Sequence, residues 1–166
     1  MFVRLFVCLF VCLLLCLSYR FGNCGQNCIG IERMYVYEPL YDKFVARITE
    51  AASNLNQACP LNDVDVDAGA MTMPAQIDIV DELVQDAVSK GARLMCGGKR
   101  RAGLPGFFYE PTVLADVTHD MRIANEEVFG PVMSIFRVSG GDAECIRMVN
   151  STQCVARLVA MVVYCW

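Results

Sequence analysis

Gly25-Gln26-Asn27-Cys28, read forward through Ile31-Glu32-Arg33 into Met34-Tyr35-Val36-Tyr37, is the stretch on which the reading of the chain turns. A cysteine set in a Gly/Asn turn ahead of a β-prone run carries its sulfur on a chain reversal, where a small substrate can approach it. Most cysteines are simply small buried apolar residues, so the turn alone does not make a site. Further along, Asn125-Glu126-Glu127-Val128-Phe129-Gly130-Pro131-Val132 is a second polar-to-apolar passage. Alone, its Glu127 reads as a helix-end charge and its Phe129 as a core aromatic.

Together the two stretches resemble the aldehyde dehydrogenase superfamily, in which a Gly-Gln-x-Cys segment carries the nucleophile and a Glu-Glu-x-Phe-Gly-Pro segment meets the nicotinamide cofactor. The pieces between them follow that family's order as well: Arg33 to Tyr37, Leu40-Tyr41-Asp42-Lys43-Phe44-Val45, a helix containing Gln76, Lys90-Gly91-Ala92-Arg93, and Gly106-Phe107-Phe108-Tyr109-Glu110-Pro111-Thr112-Val113-Leu114. The resemblance runs from about Gly22 to about Gln153 and omits the portion before the cysteine, where the family keeps its nucleotide-binding domain and its glutamate base.

What the resemblance implies is an α/β fold, a partial catalytic domain with a mostly parallel sheet flanked by helices, preceded here by an N-terminal apolar helix. It implies an oxidoreductase that converts an aldehyde to a carboxylic acid with NAD or NADP. An aldehyde carbon does not release hydride readily until a nucleophile has made it tetrahedral, and a thiolate does this. By the resemblance Cys28 is that nucleophile, with its own N–H as half of an oxyanion hole. Glu127 holds the nicotinamide ribose hydroxyls, where two acceptor oxygens suit a vicinal diol, and Phe129 packs beside the nicotinamide. A small-molecule aldehyde and a homo-oligomer are the partners implied. Without the first domain the chain is expected to turn over little or no aldehyde by itself.

The chain has 166 residues, enough for one domain with a sizeable core. Its hydrophobic residues make up 55%, and its mean hydropathy is +0.40, with much of the excess in residues 1 to 17. The formal charge of −4 carries no basic stripe, which speaks against nucleic acid as a partner. Of ten cysteines, Cys8, Cys12 and Cys16 recur every four residues in the apolar leader and the other seven are scattered at irregular intervals; with no C-x-x-C pair and His119 the only histidine, a zinc site with ordinary ligand spacing is not expected. Scattered thiols read as reduced and intracellular, cytoplasmic or mitochondrial by the family.

The leader points the other way. Residues 2 to 17 are a degenerate repeat of the kind Phe6-Val7-Cys8-Leu9, with Arg4 ahead of a long apolar run. That pattern suits a signal-like or membrane segment, and equally low-complexity sequence joined to a truncated gene. The expected organisation is therefore an apolar leader over 1–20, a catalytic-domain fragment over 21–153 and a divergent tail over 154–166. A competing reading is a membrane-attached or secreted non-catalytic interaction protein on the same scaffold.

Within the body, Pro39 suits the first turn of a helix carrying Leu40, Phe44, Ile48, Ala51, Ala52 and Leu55 at helical spacing. A second helix is predicted from Pro74 to Lys90, closed by Gly91 as a left-handed cap. The acidic loop around Asp63, Asp65 and Asp67 lacks the glycine and glutamate of a calcium loop. Val132 to Val138 reads as a parallel strand buried on both faces, and Asp142 as the cap of a short helix after it. His119 lies in a polar connection where a solvated side chain is expected, although a cysteine hydrolase would need it as the partner of Cys28. Cys24, one helical turn from Cys28 if that stretch is helical, is a conceivable disulfide or metal neighbour.

Overall fold

A strand that is apolar on both faces must be covered on both sides, and in Val132–Val138 (β4) every residue but Arg137 is buried, the polar Ser134 included. The computed structural model describes residues 15–28, 30–59, 61, 65–151 and 160–163. Residues 1–14 of the leader, Asp63 of the acidic loop and most of the tail lie outside the described residues.

The strands are Arg33–Tyr37 (β1), Arg93–Cys96 (β2), Thr112–Ala115 (β3), β4 and Ala160–Val163 (β5), forming one five-stranded sheet in the order β2-β3-β4-β1-β5. β1 pairs parallel with β4 and with β5, and β3 pairs parallel with β4. Among the described strands only β2 runs antiparallel, along the edge of β3. Successive side chains of a strand face opposite ways, so the sheet sorts its apolar residues into two layers. Tyr35, Leu114, Val132 and Phe136 face one cluster, while Met34, Val36, Val113, Met133 and Ile135 face the other.

Helix Glu38–Ser53 (α1) covers the second face with Tyr41, Phe44, Val45, Ile48 and Ala52. The buried stripe is thus rotated slightly from the one expected: Tyr41 and Val45 are inside, while Leu40 and Ala51 are only half-buried. Tyr41 goes inward because its hydroxyl has work there, accepting the Asp116 amide at 2.6 Å. Helix Pro74–Ser89 (α2) covers the first face with Ile77, Val80, Leu83, Val84 and Ala87. Each helix opens on a proline in its first turn, where the missing N–H costs nothing. Gly91, at φ +103°, takes the left-handed position after α2.

The last described helix, Gly141–Asn150 (α3), is capped otherwise than expected. Glu144 reaches back to accept the amides of Ser139, at 3.0 Å, and Gly140, the job of a glutamate early in a helix. Asp142 instead accepts the Tyr37 hydroxyl. At the other end, residues 15–21 are helical and bury Cys16, Arg20 and Phe21, so the packed unit takes in part of the stretch read as leader. No helix among the described residues is long and apolar enough to cross a membrane, and the expected N-terminal apolar helix finds no support among them. Residues 160–163, inside the stretch read as a divergent tail, continue the sheet beside β1.

Asp86 near the end of α2 accepts the Arg122 amide at 2.9 Å and pairs with Lys90 at 3.0 Å. This ties α2 to the short 3-10 turn Arg122–Ala124 that leads into Glu127. The hydrogen bond from Arg122, then Lys90, holds the Asp86 carboxyl below its ordinary range. A depressed carboxyl stabilises the fold above its unfolded value and loses that contribution as pH falls through the folded one. Asp86→Asn is expected to cost about 1 kcal/mol at neutral pH. In urea melts across a pH series, the gap to the unsubstituted chain should close as the acid limb is descended.

Candidate functional site

The cysteine turn precedes β1 and the segment 125–131 precedes β4. Because these strands are parallel neighbours in the register Arg33↔Ser134, both connections emerge at the same edge of the sheet. Sequence separation is thereby converted into contact.

The turn itself is built from unusual backbone. Asn23, Cys24 and Gly25 all have positive φ, at 52°, 56° and 70°, and together they reverse the chain within the 3-10 segment Gly22–Gly25. Gly25 is required there twice over, since a Cβ would overlap the Gly130 carbonyl as well as strain the left-handed backbone. Gln26 then fastens the turn: its Oε1 accepts both the amide and the hydroxyl of Thr72 at 2.9 Å, and its Nε2 donates to Asn23 O at 3.1 Å. Asn23 Nδ2 returns a bond to Gln26 O at 2.9 Å. Beyond these anchors Cys28 is exposed, whereas Cys24 is buried in the core. Burial pushes the Cys24 thiol up to about 11, which leaves it protonated and a poor nucleophile. Both are free thiols, and the stretch between them is not an α-helical turn, so the two sulfurs occupy unlike surroundings.

On the facing segment, Glu127 is exposed and Phe129 half-buried, with Val128 buried between them. The Glu127 carboxylate takes no part in the hydrogen bonds and ion pairs among the described residues, and its oxygens are open to a ligand. Its electrostatic neighbour is Glu32. Glu32 is 4% exposed and accepts the Val128 amide at 3.0 Å, with Arg20 and Arg33 at 3.9 and 3.8 Å. Burial pushes its carboxyl up, against the pull of the two cations. Arg20, wholly buried, donates to Val128 O at 2.9 Å and to Gly130 O. The structure therefore brings Cys28, Glu127 and Phe129 to one edge, and it adds three residues that sequence reasoning left without a role: Gln26, Arg20 and Glu32. The signal for the last was legible as two adjacent charges, Glu32-Arg33, at the mouth of an apolar strand. Arg20 was hidden by its apolar surroundings in the leader.

His119 departs from its expected solvated state. Its ring is half-buried against Phe136, 5.0 Å away, and Tyr35, and its Nε2 donates to Met148 O at 2.9 Å. Burial lowers its pKa. It follows the C-terminal end of β3, while Cys28 precedes the N-terminal end of β1, so parallel strands carry the two to opposite edges. A cysteine hydrolase pair of Cys28 and His119 is not assembled. A cavity of about 560 Å³ opens between the end of α1 and the β2–β3 edge, but Cys28, Glu127 and Phe129 do not line it. Its Lys99 and Arg100 are already paired with Glu110 and Asp78.

The aldehyde dehydrogenase family model matches residues 14–162, reaching beyond the Gln153 at which the resemblance was expected to stop. A 3-sulfolactaldehyde dehydrogenase of Pseudomonas putida is 40% identical over 134 residues, which are 81% of this chain and 27% of that protein. A succinate-semialdehyde dehydrogenase [NADP(+)] of Mycobacterium avium is 42% identical over 136 residues, 82% of this chain and 28% of that protein. Among solved structures, lactaldehyde dehydrogenase from Escherichia coli superposes with a TM-score of 0.82 at 30% identity, covering 93% of this chain and 36% of that one. An aldehyde dehydrogenase of Mycobacterium tuberculosis complexed with NAD+ gives a TM-score of 0.78 at 34% identity, covering 83% and 28%. The chain spans about a quarter of the length of the curated relatives it matches.

Gly25 and Gly91 offer a matched test of the turn. Both have positive φ, but a Cβ at Gly91 meets open space. Gly91→Ala should lose only the left-handed penalty, about 1–2 kcal/mol. Gly25→Ala should lose clearly more in the same thermal melts, because its Cβ must also displace the Gly130 carbonyl.

Proposed function

This chain belongs to the aldehyde dehydrogenase family, and we propose that it carries that family's thiol site, with Cys28 as the nucleophile that an aldehyde meets. The observation supporting this most strongly is the presentation of an exposed thiol and an uncommitted exposed carboxylate on adjacent connections at one sheet edge. Buried thiols are inert, and exposed ones in a fixed turn are available for chemistry.

In this reading the Cys28 thiolate attacks the aldehyde carbon, a C–S bond forms, and the carbonyl oxygen takes up the electron pair as an oxyanion. The Cys28 N–H donates to that oxygen, contributing where charge develops. NAD or NADP, when bound, supplies the acceptor for the hydride that the tetrahedral carbon gives up. Water then adds to the thioester, the C–S bond breaks, and the carboxylic acid leaves with Cys28 restored. Glu127 would receive the two ribose hydroxyls of that nucleotide, a role its open oxygens fit. Phe129, half-buried beside it, would offer an apolar surface to the ring. The 166 residues alone are expected to turn over little aldehyde, since they span about a quarter of relatives bearing the named activities.

Competitive labelling tests the site without requiring turnover. Iodoacetamide should modify Cys28 well before the buried Cys16, Cys24 and Cys145, and a simple aldehyde should slow that modification reversibly. Cys28→Ser should remove the aldehyde-sensitive label. Modification of Cys28 indifferent to aldehyde would favour a non-catalytic interaction protein on the same scaffold.

A further inference from the structure

The backbone around Phe129 is held by side chains rather than by a sheet ladder, because β4 begins only at Val132. Both polar groups of the Val128 peptide positions are engaged from the cysteine side of the site. The Val128 N–H donates to Glu32 Oε1 at 3.0 Å, and the Val128 C=O accepts from Arg20 Nη2 at 2.9 Å. The same nitrogen also reaches Gly130 O. Arg20 stands just before the left-handed turn and Glu32 just after Cys28, so these two bracket the thiol in sequence while gripping the residue between Glu127 and Phe129 in space.

Building on the reading of Cys28, Glu127 and Phe129 as the thiol and nicotinamide site, we propose that Arg20 and Glu32 are positioning residues that set the spacing between the Cys28 turn and the Glu127/Phe129 pair. With both ends of Val128 fixed, the neighbouring side chains have their directions fixed with it. The chemistry of the pair fits this task. A guanidinium fork can serve two carbonyls from one nitrogen, whereas an ammonium is a point charge on a flexible stem. A buried ion pair is weak support for stability as such, since well-packed apolar residues of similar volume often serve as well. Holding two backbone groups in a chosen place is what apolar residues cannot do.

That contrast supplies the test, made on the full 166-residue chain. Arg20→Lys and Glu32→Gln each break part of the grip, and the double variant Arg20→Met/Glu32→Leu replaces the pair with apolar bulk. Amide hydrogen exchange of residues 127–130 is read against the amides of β1 and β4, and Cys28 alkylation is read with and without a simple aldehyde. The double variant is expected to melt at or above Glu32→Gln, which takes the carboxylate from Arg33 just as the double variant does and leaves the Arg20 charge buried besides. Its 127–130 amides should still exchange about tenfold or more faster, the size expected for losing a charge-assisted hydrogen bond. If the 127–130 amides of the double variant stay as protected as before, or loosen only in step with β1 and β4, the pair merely fills space and the proposal is overturned. If those amides loosen selectively while a simple aldehyde fails to slow Cys28 alkylation even in the unsubstituted chain, the grip stands and the reading of Cys28 as the thiol an aldehyde meets falls.

Discussion

Parallel pairing of β1 with β4 is the constraint on which the site depends. Parallel strands carry their entering connections to a common edge, and the register Arg33↔Ser134 sets how far each entering loop projects. From that one pairing the cysteine turn and the segment around Phe129 become neighbours, although they are far apart in the chain. The stacking of Tyr35 on Phe136, with ring centroids 4.8 Å apart, secures the register from the α2 side. Met34 of β1 and its register partner Ile135 of β4 belong to the core cluster on the α1 side. A slip of one residue would exchange the two faces, and the loops would no longer meet.

At that edge the fold accepts costs that an ordinary core would avoid. Burial drives the Glu32 carboxyl up and the Arg20 guanidinium down to about 10, and their mutual attraction offsets the desolvation only in part. Two non-glycine residues are held at positive φ, a conformation that side chains resist. Costs of this kind gather where geometry must be dictated rather than merely stable. On the far edge the polar contacts are of another sort. Arg137, half-buried, lies 3.8 Å over the buried Tyr41 ring and reaches the half-buried Asp116, closing the surface over α1.

Much of the architecture was legible because the pattern was redundant. β4 announced itself by being apolar on both faces, and α2 by the spacing of Ile77, Val80, Leu83, Val84, Ala87 and Val88 between Pro74 and Gly91, of which Val88 alone proves exposed. The motifs around Cys28 and Phe129 could be found because residue types at fixed spacing survive without structural context. Features that depended on long-range contact could not be found this way. Tyr41 points inward because Asp116 arrives beneath it, and Glu144 takes over the capping of α3 because the chain turns at Gly140. The ring of His119 is drawn onto the sheet by Tyr35, Phe136 and Met148, none of which is near it in sequence. Arg20 was the hardest case, since a lone cation beside an apolar run looks like a boundary until its carbonyl partners are in view.

The central claim is that the connections carrying Cys28 and Glu127 meet at a single edge of the sheet. A short bifunctional maleimide applied to a Glu127→Cys variant, with the linked peptides mapped by mass spectrometry, tests this directly. The structure predicts a dominant crosslink between positions 28 and 127 that disappears in the Cys28→Ser background. Crosslinking of position 127 to Cys145 or Cys96 in preference to Cys28 would contradict the account.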